Sequence, residues 1–111
     1  MEAHVELLSA VEVGARLGIG PTGVRDLLRA GHLLSVQTGD GPRIPAEQLD
    51  GDVLVKHLVP VLTLLGDAGY SSEEALRWLT SPDDTLPGTP LQALHENRAT
   101  EVKRRAQALG F

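Results

Sequence analysis

Residues 9–45 read SAVEVGARLGIGPTGVRDLLRAGHLLSVQTGDGPRIP, and the parsing of this stretch decides the fold. Ser9 is followed three residues later by Glu12, the capping-box spacing that satisfies two orphan backbone donors at a helix start. Val13 and Leu17 then recur four residues apart on one face. Leu17-Gly18-Ile19-Gly20 breaks the pattern, and Gly18 is free to take the positive φ needed just past a helix end. Pro21 suits the first position of a second helix, where its missing N–H costs nothing. Val24, Leu27 and Leu28 form that helix's buried stripe and leave Thr22, Gly23, Arg25, Asp26 and Arg29 outside. Gly31 ends it. His32 to Val36 reads as a strand, Thr38 to Gly41 as a turn, and Arg43-Ile44 as a short returning strand. Two short helices across a tight turn, followed by a hairpin, make a helix-turn-helix with a wing.

In that arrangement the second helix, residues 21–30, enters the major groove of duplex DNA and the wing, residues 32–45, lies on the backbone. The candidate DNA-binding residues are Thr22, Arg25 and Arg29 on the helix and Arg43 on the wing. An arginine either holds a guanine by a bidentate contact or neutralises a phosphate. Gly18, Gly20 and Gly23 also spell G-x-G-x-x-G, a dinucleotide-binding pattern. That pattern needs a preceding strand within a βαβ unit. Val11 to Leu17 is capped like a helix instead, so the glycines read as the turn between two helices.

A chain of 111 residues suits one domain or two small lobes sharing a core. The expected division is a DNA-binding region over 1–50 and a helical C-terminal lobe over 51–111 packed on it. Aromatic residues are 3%, so the core must be built from Leu, Val and Ala. The absence of cysteine excludes a disulfide framework and a thiolate zinc site. No stretch reads as a signal peptide or approaches a membrane span, so the expectation is a soluble, cytoplasmic protein, nucleoid-associated when bound to DNA. The net charge of −5 opposes duplex binding. Even residues 1–50 carry four arginines against seven carboxylates. Binding to phosphates is largely electrostatic, so affinity is expected to be modest and strongly salt-dependent.

Working outward, residues 1–8 are a short lead-in. Val5, Leu7 and Leu8 can dock on the core, and Leu8 is placed for a hydrophobic staple ahead of Ser9. Ala46 to Leu49 reads as one helical turn, and Asp50-Gly51-Asp52 as a break capping the next helix. Val53 to Gly69 is the most apolar segment. It predicts a helix from Val53 to about Val59, a kink or restart at Pro60, and a second piece to Ala68 capped by Gly69. Ser71 or Ser72 caps a helix with Glu73 and Glu74 in its first turn, and Ala75, Leu76 and Leu79 face inward with Trp78 beside them. Thr89, Pro90 and Gln92 combine a cap, a first-position proline and capping-box spacing for a short helix to about Glu96. Ala99 to Leu109 forms the last helix, with Val102, Ala106 and Leu109 as its stripe and Gly110 as its stop. The fold class is therefore mainly α with a small β-hairpin wing.

Three resemblances follow. Ser9 to Val13, Leu17-Gly18-Ile19, Val24-Arg25 and Arg43-Ile44-Pro45 together resemble the excisionase/MerR-type winged helix over residues 9–49. Gly14 departs from that pattern, standing where a helix-favouring alanine is usual, and weakens the first helix by up to about 1 kcal/mol. The whole chain resembles the small actinobacterial winged-helix DNA-binding proteins typified by a mycobacterial substrate of a membrane Ser/Thr protein kinase. Val55 to Leu58, Leu62 to Leu65, Asp67-Ala68-Gly69, Glu73 to Leu79, Asp83-Asp84, Leu86 to Pro90 and Val102 to Leu109 carry that likeness, in keeping with an Ala-, Gly-, Leu- and Arg-rich composition. It implies a winged helix-turn-helix with a helical C-terminal part, double-stranded DNA as partner, a role in transcription regulation, and control by a Ser/Thr protein kinase near the N-terminus. The family's acceptor there is a threonine. Residues 1–21 contain none, and their one hydroxyl, Ser9, is already used as a cap. Residues 73–94 more distantly resemble the toxin-binding domain of Xre-type antitoxins. That likeness implies an alternative, a protein-interaction module with a toxin-like partner, with Trp78, Leu86 and Pro90 as candidate partner-binding residues.

Little else suggests chemistry. His4, His32, His57 and His95 are too far apart for a local metal motif, so no metal and no cofactor is expected. Asp83 and Asp84 could be paired carboxylates, but adjacent acids beside a proline usually mark a turn. Lys103-Arg104-Arg105 reads either as a second phosphate clamp or as a complement to the last helix's C-terminal dipole. No nucleophile–base pair can be argued, and a non-enzyme is expected.

Overall fold

In the computed structural model, which describes residues 6–110, the chain is a winged helix-turn-helix followed by a helical C-terminal part. β1 (Leu7–Leu8) leads into α1 (Ala10–Leu17) and α2 (Pro21–Arg29). Ser9 and Glu12 form the full capping box of α1: the Ser9 hydroxyl accepts from the Glu12 N–H at 3.1 Å, and the Glu12 carboxylate accepts from the Ser9 N–H at 2.8 Å. Leu8 and Val13, at the staple positions flanking that cap, are both buried in one cluster. Gly18 takes φ 73° at the end of α1, and Pro21 is the first residue of α2.

The wing is a hairpin of β2 (Val36–Thr38) and β3 (Gly41–Pro45), in register Val36 to Arg43 and Thr38 to Gly41. It starts later than the sequence suggests. His32 to Ser35 is not strand, because Gly31 at φ 77° and the His32 N–H bonded back to the Leu27 carbonyl at 2.9 Å close α2 with a wider turn. The returning strand is correspondingly longer than Arg43-Ile44. β1 pairs antiparallel with β3 on its other edge, giving a three-stranded sheet of order β1-β3-β2. The expected docking of Val5 lies outside the described residues.

A single 3₁₀ turn (Ala46–Gln48) follows Pro45, as its sequence suggests. The next segment differs from expectation. Asp50-Gly51-Asp52 does not cap a helix; it forms the tip of a second small hairpin between β4 (Leu49–Asp50) and β5 (Val53–Leu54). The helix expected from Val53 is absent, and one uninterrupted α3 (Leu58–Asp67) takes the place of two pieces. Pro60 sits in its first turn, where the N–H it lacks would have had no intrahelical partner, so no kink results.

The remaining helices match their sequence signals. Ser71 with Glu74 caps α4 (Ser72–Leu79), Thr89 with Gln92 caps α5 (Pro90–His95), and α6 (Ala99–Ala108) closes the fold. Two hydrophobic clusters result. One gathers Leu8, Val13, Val24, Leu33, Ile44 and Leu49 beneath α1 and α2. The other gathers the apolar faces of α3 to α6 and takes in Leu34, while Leu54 packs against both.

The contact between the clusters is polar as well as apolar. Gln48 is fully buried, the one buried polar residue among those described. Its side-chain oxygen accepts from the Leu34 N–H at 2.9 Å, and its amide nitrogen donates to the Leu34 carbonyl at 2.8 Å. It thus supplies the backbone partners that a neighbouring strand would give, where an unpaired buried group would cost about 1–3 kcal/mol.

Candidate nucleic-acid interface

Helix α2 carries one fully buried residue, Val24, and packs on α1. Thr22, Arg25, Asp26 and Arg29 are all exposed, and their i, i+3, i+4, i+7 spacing puts them on one outward face. Arg25 makes no ion pair among the described residues. Arg29 lies 3.3 Å from Asp26, and both side chains are well exposed, so the pair is worth at most about 1 kcal/mol and leaves the guanidinium available.

The turn between α1 and α2 packs directly on Gly14. A Cβ added there would lie 2.6 Å from the Ile19 carbonyl oxygen, a backbone atom that cannot step aside. The Ile19 N–H in turn donates to the Gly14 carbonyl at 2.9 Å. Gly14 therefore does more than weaken its helix: the turn folds back onto that helix and leaves no room for a side chain. Gly23 is crowded less severely, its would-be Cβ 3.1 Å from the Ile19 side chain, which can shift where a backbone atom cannot.

On the wing, Gln37, Gly39, Asp40 and Pro42 are exposed, while Arg43 is half-buried on β3. Its guanidinium donates to the Pro42 carbonyl at 2.9 Å. Arg43 thus lies along its strand, below an acidic tip residue, Asp40. Thr38 closes the tip: its hydroxyl donates to the Gly41 carbonyl at 2.7 Å and accepts from the Asp40 N–H at 3.2 Å. Arg16 is committed elsewhere, donating to the Gly51 carbonyl at 3.0 and 3.2 Å and so tying α1 to the tip of the second hairpin.

Of the candidate partner residues of the C-terminal half, Trp78 and Pro90 line one cleft and Leu86 does not. Leu86 is 4% exposed and belongs to the core, Pro90 is buried, and Trp78 is half-buried. Asp83 is a turn residue, its carboxylate accepting from the Thr85 hydroxyl and backbone N–H. Those two bonds, the hydroxyl's first, hold its carboxyl below the usual Asp value. The basic run on α6 is divided: Lys103 Nζ lies 2.9 Å from His57 Nδ1, Arg105 donates to the Thr85 carbonyl at 3.1 Å and the Glu101 carbonyl at 3.0 Å, and Arg104 is exposed. Among the described residues no group of three or more His, Cys, Asp or Glu side chains is placed to hold a metal ion, and no helix is long and apolar enough to cross a membrane.

Residues 1–49 match the family described as DNA-binding protein Rv2175c, wHTH domain, and residues 55–110 match the Rv2175c C-terminal domain of unknown function. The chain belongs to the Rv2175c family. One relative, the DNA-binding protein Rv2175c of Mycobacterium tuberculosis, is 38% identical over 112 residues, covering 89% of this chain and 77% of that protein. The NMR structure of Rv2175c superposes with a TM-score of 0.88 at 33% identity, over 100% of this chain and 85% of that one. The two Rv2175c family matches leave out residues 50–54, which hold most of the second hairpin, the segment whose structure departs furthest from its sequence reading.

Residues that position this Rv2175c-type face escape sequence reasoning. Gln48 and Arg16 bond to backbone atoms 14 and 35 residues away. His95 Nε2 lies 2.6 Å from the Glu47 carbonyl, joining α5 to the 3₁₀ turn. None of these carries a local signal. Gly14 does carry one, a glycine inside a capped helix, which signals close backbone approach as readily as a weakened helix.

Proposed function

We propose that this Rv2175c-family chain binds double-stranded DNA through α2 and the wing and acts as a small transcriptional regulator. The observation that carries this reading is the outward face of α2. Thr22, Arg25 and Arg29 are exposed together on a helix anchored by a single buried valine, within a family whose named member is a DNA-binding protein. A face of that kind fits a major groove. In this reading Arg25 and Arg29 contact base edges or flanking phosphates, Thr22 sits at the leading end, and Arg43 reaches a phosphate after leaving the Pro42 carbonyl. Residues 1–50 do the reading and residues 51–111 brace them. No catalysis and no cofactor is assigned, and the working place is the cytoplasm, on the nucleoid.

Asp26 and Asp40 sit among these groups, so the favourable field is local to two or three guanidinium groups. Affinity is modest and salt-dependent, by about one log unit of affinity per log unit of salt for each phosphate contact. Selection from random duplexes at low salt identifies the preferred sequence. On that duplex Arg25→Ala and Arg29→Ala each weaken binding, while Arg43→Ala weakens all sequences alike. Full affinity in both helix variants would remove α2 from the interface.

A further inference from the structure

The C-terminal half holds a cleft that DNA binding does not use. It has a volume of about 350 Å³ and is lined by Trp78, Ser81, Pro82, Asp83, Asp84 and Pro90. Trp78 is partly buried against the core and also lines this space, and its ring N–H has no hydrogen-bond partner among the described residues. The rim is acidic. Asp83 is held ionised by its bonds from Thr85, and Asp84 is exposed with no ion pair or side-chain hydrogen bond among the described residues. Arg105 is engaged on Thr85, and no cation pairs with Asp84 among the described residues.

The rim is also fixed in place. The Asp83 N–H donates to the Gly88 carbonyl at 3.1 Å, the Leu86 N–H to the Asp83 carbonyl at 2.9 Å, and Arg98 to the Pro87 carbonyl at 3.4 Å, with Leu86 anchored in the core. A partner therefore meets a preformed slot and loses little to ordering it.

We propose that this cleft receives an arginine side chain from a basic segment of a protein partner. Trp78 and Pro82, with the buried Pro90 behind them, offer apolar surface for a guanidinium, and the Asp84 carboxylate supplies the opposite charge beside it. Arginine fits better than lysine because its plane stacks on an aromatic face while its edge still donates to a carboxylate. An acidic or nucleic-acid ligand is disfavoured by the same two carboxylates. This surface is independent of the DNA-binding reading and stands or falls without it.

The chain contains a single tryptophan, so its indole N–H resonance and its fluorescence come from a residue of this cleft. The probe is a blocked Gly-Ser peptide carrying two arginines, titrated into the full chain without DNA. The expected result is a saturable shift of the indole signal, with affinity falling roughly three- to tenfold in Asp84→Asn and when lysine replaces arginine in the peptide. A version with neutral citrulline is expected to give no shift. An equal response to citrulline, or no response to arginine, overturns the proposal. So does an indole signal that changes on dilution of the chain alone, which would identify a second copy as the occupant. Asp84 is exposed, so its variant keeps the fold; an unchanged affinity in that variant also overturns the assignment.

Discussion

The arginines of α2 and those of the α5–α6 end of the molecule are used in opposite ways. Both halves of the chain are net acidic, with four basic residues against seven acids up to residue 50 and six against eight beyond it. In the C-terminal half two of the four guanidiniums are internal fasteners, Arg98 on the Pro87 carbonyl and Arg105 on the Thr85 and Glu101 carbonyls. On α2, Arg25 has no partner among the described residues and Arg29 has a weak exposed one. A count of charges makes the two halves alike, yet on α2 two such guanidiniums share one outward face, whereas the exposed Arg77 and Arg104 stand on separate helices. The grouping of exposed cations on one helix face, rather than net charge, distinguishes the two halves.

The strongest attempt to break this contrast is the double variant Arg25→Ala/Arg29→Ala. It should lower affinity for the selected duplex by roughly tenfold or more, at about 1–3 kcal/mol for each base-reading arginine, while thermal unfolding stays where it was. Fluorescence anisotropy beside calorimetry separates the two outcomes. Next comes Gly14→Ala. Helix propensity alone predicts stabilisation by up to about 1 kcal/mol. The approach of the Ile19 carbonyl predicts the reverse, a loss of about 1–3 kcal/mol in urea unfolding, with weaker DNA binding as α2 is pushed from its seat. A stabilised Gly14→Ala would show that the turn relaxes freely.

Arg105→Ala is the mirror of the first test. Losing its bonds to Thr85 and Glu101 should cost about 1 kcal/mol of stability and leave DNA affinity unchanged. If affinity falls instead, α6 belongs to the interface. Asp26→Asn should sharpen the contrast by freeing Arg29 and removing a negative charge beside Arg25, tightening binding a few-fold at low salt. The smallest effect is on pH. Glu12 and Glu74 are held below the ordinary 4.5, each by the backbone N–H and then the hydroxyl of its capping serine. Their folded-state values lie below the unfolded ones. The stabilisation is therefore complete above about pH 4.5 and is lost as pH falls through the folded values. Glu12→Gln should flatten the acid limb of the stability curve slightly.

Wherever the signal was local, the fold was legible. Ser9 with Glu12, Ser71 with Glu74 and Thr89 with Gln92 each announce a helix start within four residues, and all three capping boxes form. The segment from Val53 to Val59 misled because a continuous apolar run does not distinguish a short strand from the start of a helix, and Pro60 fits a first turn as well as a kink. His32 to Ser35 misled because burial of Leu33 and Leu34 imitates a strand, although the pairing comes from the Gln48 side chain. The outward arginines of α2 could be named from periodicity. The half-buried position of Arg43, the core position of Leu86 and the acid-rimmed cleft beside Trp78 could not, since each depends on what the chain brings back from far away.

The Gln48 amide has one more mechanical effect. It grips Leu34, whose side chain is sunk in the C-terminal core, and it also reaches the Pro45 carbonyl at the base of the wing. The molecule consequently has a latch where two-part proteins often have a swivel. If the wing meets DNA as proposed, a duplex that levers the flap upward would pull on the helical half as well, and grooves that do not suit the resting shape would be rejected by stiffness before any base is read.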